Sequence, residues 1–158
     1  MTPKYFVRPL AASDEPIIWE FLLIAAHETR TEAVRDYPKL AMYAANWGRE
    51  GDGGWAALRE EKVVGVVWWR VWRGEERGFG FVDAATPEAA IAVRAGWQNR
   101  GVGTLLLKRA IQECPRISLN VRGDNAAVRL YERCGFERIE GSERLNRVGG
   151  ISFNMLRR

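Results

Sequence analysis

The chain has 158 residues, 47% of them hydrophobic and 28% charged, with 24 Lys+Arg against 20 Asp+Glu. That predicts one domain, residues 1–158, with a true core, and argues against disorder throughout. One histidine, His27, and two cysteines, Cys114 and Cys134, exclude a four-ligand zinc site, a zincin motif and a disulfide framework.

No apolar signal core follows Met1. The apolar stretch 16–26 is interrupted by Glu20 and falls short of the roughly 20 residues that span a bilayer. The expectation is a soluble, cytoplasmic protein with free thiols and no membrane partner.

Residues 5–10 read as a first strand. Ser13 or Asp14 caps a helix that runs on through Ile17, Phe21 and Ile24. A second helix is predicted over 35–47, ending at Gly48. Residues 55–59 and 63–72 form a hairpin, the second strand nearly continuous in Val and Trp. Residues 79–82 extend the sheet, and 89–93 are a central strand. A helix over 102–113 is stopped by Pro115. Strand 117–121 follows, then a helix capped by Asp124 or Asn125 and ended by Gly135. Residues 136–139 and 151–156 close the sheet.

Two segments carry chemistry. Gln98-x-x-Gly101-x-Gly103 sits between a strand and a helix start. Unpaired N–H groups and the positive end of the helix dipole suit such a place for phosphate. Arg94 and Arg100 add charge there. The third glycine of a dinucleotide fingerprint and the Gly-Lys-Ser/Thr of a P-loop are both missing, so neither of those sites is indicated. The plain alternative is a tight strand-to-helix turn.

The second segment holds Asn125, Ala127, Leu130, Tyr131, Glu132, Gly135 and Phe136, in the pattern Asn-x-Ala-x-x-Leu-Tyr-Glu-x-x-Gly-Phe. Together the two motifs resemble the GCN5-related N-acetyltransferase (GNAT) superfamily. The resemblance is strong over residues 87–139, about a third of the chain. It implies an α/β fold of mixed α+β type. The central twisted sheet is mostly antiparallel, splayed in the middle and flanked by about four helices.

The resemblance also implies an acetyl-CoA-dependent N-acetyltransferase acting by direct transfer. The amine would belong to a small molecule, a peptide or a protein. The pantetheine arm would pair with the backbone of Ile91, Ala92 and Val93. The pyrophosphate would lie on Gln98, Asn99, Arg100, Gly101, Val102, Gly103 and Thr104, and Asn125 would also touch the cofactor. Tyr131 would stand near the sulfur as general acid, and Glu88 at the head of the central strand is the candidate base. His27 and Asp83 are candidate acceptor-binding residues. Asn120 stands where one branch of the family carries a glutamate base, which argues against that branch.

Direct transfer suits this composition. A lysine-type ammonium has a pKa of about 10.4 and must lose a proton before attack, work for a carboxylate. No acyl-enzyme is required, and both cysteines sit at helix C-termini, where a thiolate is disfavoured. Tyr131 could equally be a core tyrosine on its helix's apolar stripe, and Asn125 only a cap. A non-catalytic acyl-CoA-binding regulatory module is the alternative reading. Nucleic-acid binding is disfavoured, because the arginines are interspersed with acids. A homodimer is compatible with the resemblance.

Overall fold

The computed structural model describes residues 4–158. Eight strands form one sheet in the order β1-β2-β3-β4-β5-β8-β6, with β7 pairing on β8. The strands are β1 Phe6–Pro9, β2 Gly53–Arg59, β3 Lys62–Arg70, β4 Glu88–Val93, β5 Ile117–Arg122, β6 Glu137–Arg138, β7 Arg144–Leu145 and β8 Ile151–Arg157. Every pairing is antiparallel except β4 with β5.

Among the described residues five α-helices cover the sheet: α1 Glu15–Ala25, α2 Glu32–Arg35, α3 Pro38–Ala41, α4 Val102–Glu113 and α5 Ala127–Arg133. The alternation of β3 divides its side chains between two cores. Val66 and Trp68 pack with Ile18, Phe21, Leu40 and Tyr43 from α1–α3 and the turns that follow. Val67 and Trp69 pack on the other face with Leu106, Leu107 and Tyr131 from α4 and α5. A strand apolar on both faces is therefore the spine of the molecule.

The mixed, mostly antiparallel architecture agrees with the expectation. Two predicted elements differ, and one strand was not predicted. The helix predicted over 35–47 is interrupted: α2 ends at Arg35, Pro38 opens the short α3, and turns run on to Gly48. Proline lacks the N–H that would carry a helix through, and it holds the residue before it extended. Tyr37 is indeed extended, with φ −110° and ψ 100°. Residues 79 and 80 form a turn and 81–82 follow without regular structure, where Gly80 is closed in by the backbone of Leu119 and Asn120 and by Glu88. Strand β7 is two residues long, too short to leave a period-two signal. Among the described residues no helix is long and apolar enough to cross a membrane.

Candidate active site

The parallel pair β4–β5 meets at one register position, Glu88 opposite Ser118, and diverges beyond it. The Ser118 N–H donates to the Pro87 carbonyl at 3.0 Å as the strands part. On its other edge β4 is fully paired with β3, and the Arg94 N–H continues the ladder to the Val64 carbonyl at 2.9 Å. Hydrogen-bonding direction alternates along an antiparallel strand. The main-chain groups of Ile91 and Val93 therefore face the gap. A cavity of about 290 Å³ occupies it, lined by β4 and β5, by the end of α1, and by Tyr131 and the β7–β8 turn.

Glu88 lies where the strands meet and is 2% exposed. Its carboxylate accepts from the Tyr43 hydroxyl and from Trp72 Nε1, the latter at 2.8 Å. The Gly80 N–H is also directed at it. Tyr43 in turn accepts from the Phe79 N–H at 2.7 Å. Burial pushes the Glu88 carboxyl up to about 7, against the opposing pull of these donors. Burial, with the neighbouring Glu88 charge second, likewise holds Tyr43 well above the ordinary tyrosine value.

The cradle is tight. A Cβ on Gly78 would collide with Glu88, Trp72 and Tyr43, and one on Gly80 with Glu88 and the β5 backbone. The glycines of Gly78-Phe79-Gly80 thus let this loop close over the carboxylate.

Tyr131 projects from α5 into the same cavity and is 6% exposed. Burial pushes its hydroxyl up to about 12, so it keeps its proton at neutral pH. Asn125 also lines the cavity, and its Oδ1 accepts from the Ala127 N–H at 2.8 Å, one residue before the N-cap Ala126. At the other end of β4 the loop turns into α4. Asn99 and Gly101 take positive φ, 61° and 85°, and present a concave run of N–H groups at the helix start.

The structure brings Glu88, Ile91, Asn125, Tyr131 and His27 to one cavity. Ala92 and Val93 continue the same strand, and Gln98, Asn99, Arg100, Gly101, Val102, Gly103 and Thr104 form the turn and first residues of α4. Two expectations change. Asp83 does not line the cavity. It accepts from Thr86 Oγ1 at 2.8 Å and pairs with Arg116 at 3.1 Å, bracing the approach to β4. Arg94 is no free phosphate ligand: Glu20 binds it at 2.7 Å, the Val63 carbonyl accepts from its Nε at 2.7 Å, and it covers Phe21. Arg100 lies over Trp97, exposed beside the α4 turn.

Tyr43, Trp72 and the Gly78–Gly80 loop escaped the sequence reading. So did Arg122, Arg144 and Arg147, which line the cavity from β5, β7 and the turn after it. Gly78-Phe79-Gly80 after a polar turn was the available signal for the loop.

A splayed sheet of this kind, with an N–H-rich helix start beside its open strand, defines an acyl-CoA-dependent transferase fold. The model of the acetyltransferase (GNAT) family matches residues 18–136, most of the chain, and the protein belongs to that family. Its fold is similar to that of a GNAT-family acetyltransferase from Streptococcus pneumoniae. The TM-score is 0.69 at 20% identity, over 98% of this chain and 99% of that one. It is also similar to an acetyltransferase from Salmonella typhimurium solved with its cofactor acetyl-CoA. There the TM-score is 0.66 at 22% identity, over 96% and 91% of the two chains. A local match of 42% identity over 59 residues joins it to the L-amino acid N-acetyltransferase of Escherichia coli strain K12. That match takes in 33% of this chain and 36% of the curated relative, about a third of its length.

Proposed function

We propose that the protein transfers an acetyl group from acetyl-CoA directly to an amine. One observation carries the reading. A buried carboxyl with a pKa of about 7 and a protonated tyrosine line one cavity at the open edge of β4.

The residues fit the cosubstrate. Ile91 and Val93 offer main-chain groups for an extended, amide-bearing arm, a small-molecule form of strand addition. The start of α4 offers N–H groups to phosphate. Acetyl-CoA supplies the thioester at which the acceptor amine reacts.

The protein's own groups do the rest. Glu88, ionised above about pH 7, removes a proton from the acceptor ammonium, directly or through one water. A main-chain N–H facing the gap from β4 polarises the acyl carbonyl. Tyr131 delivers its proton to the departing sulfur. No cysteine nucleophile is involved: burial, followed by Glu113, pushes the Cys114 thiol up to about 11, far from a thiolate. The two free thiols fit a reducing, cytoplasmic location.

Calorimetric titration with acetyl-CoA, followed by thiol release across a panel of amines, tests the proposal. Saturable binding with amine-dependent thiol release is the expected result. Absence of binding at sub-millimolar concentration overturns it, and binding without turnover on any amine leaves only the regulatory-module reading.

A further inference from the structure

The charges that line the cavity are separated. Among the described residues Glu88 is the only carboxylate in that lining, at the end where β4 and β5 pair. The others are arginines: Arg122, Arg144 and Arg147. Arg122 pairs in register with Ser152 across β5–β8, and Ser152 pairs with Arg144 across β8–β7. Directly opposed residues project from the same face of a sheet. The two arginines therefore flank one serine in a row across three strands. At a strand spacing of about 4.8 Å their Cα atoms lie roughly 10 Å apart, a span two guanidinium groups close over one small anion.

Their present partners differ. Arg147 is committed, at 2.6 Å to Glu28 and at 3.1 Å to the Ala26 carbonyl. Arg144 donates only to the main-chain carbonyls of Gly141 and Glu143, at 3.1 and 2.7 Å. Among the described residues neither Arg122 nor Arg144 is paired with a carboxylate. The Ser152 oxygen accepts from Asn146 Nδ2 at 3.2 Å, which leaves its own proton to donate. The neighbourhood is electropositive enough to act on His27. Partial burial lowers its pKa first, and Arg122 and Arg147 lower it further against the opposing charge of Asp124.

We infer that Arg122, Arg144 and Ser152 form a carboxylate subsite, so that the acceptor is a small zwitterionic amine of the amino-acid class. Its ammonium group points toward Glu88 and its carboxylate toward the arginines. Guanidinium groups bind carboxylates with charge-assisted, often bidentate hydrogen bonds. Arg122 stands four residues along β5 from Ser118, about 13 Å at strand rise. One bridging water at Glu88, the zwitterion and the reach of an arginine side chain span that interval. The inference rests on the acyl-transfer reading for the direction of the amine, and on the arginine row alone for the carboxylate.

The test is calorimetric titration of the CoA-loaded protein with L-phenylalanine, phenethylamine and phosphoethanolamine. The expected result is at least about ten-fold tighter binding of the amino acid than of the amine lacking its carboxylate. Arg122→Met and Arg144→Ala should each cut that ratio several-fold, in proteins whose thermal unfolding shows them folded. Equal affinity for phenylalanine and phenethylamine, or binding of neither, overturns the subsite. Preference for phosphoethanolamine over the amino acid overturns the carboxylate assignment. Thiol release from acetyl-CoA on the same panel separates the two proposals. An amino acid that binds while no amine of the panel is acetylated sinks acyl transfer and leaves the subsite standing. Equal acetylation of both phenyl amines sinks the subsite and leaves acyl transfer standing.

Discussion

Arg70 and Glu88 are register partners on β3 and β4, both almost wholly buried, and the fold treats them differently. Arg70 has its counter-ion. Asp52, equally buried, accepts from Nε at 2.9 Å and from Nη2 at 3.1 Å, and the carbonyls of Met42, Ala45 and Asn46 take the remaining donors. Among the described residues Glu88 has no cation within salt-bridge distance. It is held by a tyrosine, an indole and a main-chain N–H. A buried charge with its counter-ion is fixed in one state and serves structure. A buried carboxyl held only by neutral donors titrates near neutrality and can exchange a proton. The difference between an internal strut and a candidate base lies in the partners, since depth and strand position are nearly shared.

The largest expected effect comes from Glu88→Gln. It should lower kcat by roughly 10²- to 10⁴-fold and abolish the acidic limb of the kcat/KM profile, which should otherwise bend near pH 7. An unaltered profile would remove Glu88 from the mechanism. Arg70→Ala breaks the other side of the comparison. It leaves Asp52 uncompensated and should cost about 3–5 kcal/mol in denaturant unfolding. In whatever fraction remains folded, the acidic limb should stay near pH 7.

Tyr131→Phe should lower kcat by about 10²-fold through loss of the acid, with acetyl-CoA affinity nearly unchanged. Tyr43→Phe is subtler. The Tyr43 hydroxyl favours the ionised form of Glu88, so its loss should raise the acidic limb by about one unit.

Stability offers a sign check. The folded state holds the Glu88 proton up to about pH 7, whereas an exposed glutamate releases it near the ordinary value of about 4.3. The folded state binds more protons through that window, so stability should fall as pH rises across it and level off above. Denaturant midpoints across the same window should be flatter in Glu88→Gln.

Much of this was legible locally. The Gln98–Gly103 turn, α4 and the Asn125–Phe136 segment are short-range patterns in which cap, glycine and apolar stripe agree. Ser118 was legible only as a strand residue. That it faces Glu88, and that β4 and β5 separate beyond it, depends on non-local pairing which no window of residues records. Tyr43 lies 45 positions from Glu88, in a segment whose helical periodicity misled because Pro38 divides it. Asp83 looked like a loop carboxylate near the site. Its bonds to Thr86 and Arg116 are visible only in three dimensions. The row Arg122, Ser152, Arg144 crosses three strands, one of them two residues long, so it left no sequence signature.

The single-position pairing of β4 with β5 has a consequence for solubility. An unpaired strand edge on a protein's surface is a template for another chain, and proteins spend charges, prolines and bulges to blunt it. Here two such edges lie inside the molecule, turned toward each other across a cavity of about 290 Å³. Ile91 and Val93 can thus turn main-chain groups to an open edge, with only the Gln98 Nε2 reaching back to the Val93 carbonyl at 3.3 Å, on a strand of Ala, Ile and Val without inviting aggregation. An extended molecule with peptide-like amides, entering endwise, can complete such an edge. On the proposed reading, the sheet turns a hazard of β structure into a preference for slender, amide-bearing ligands.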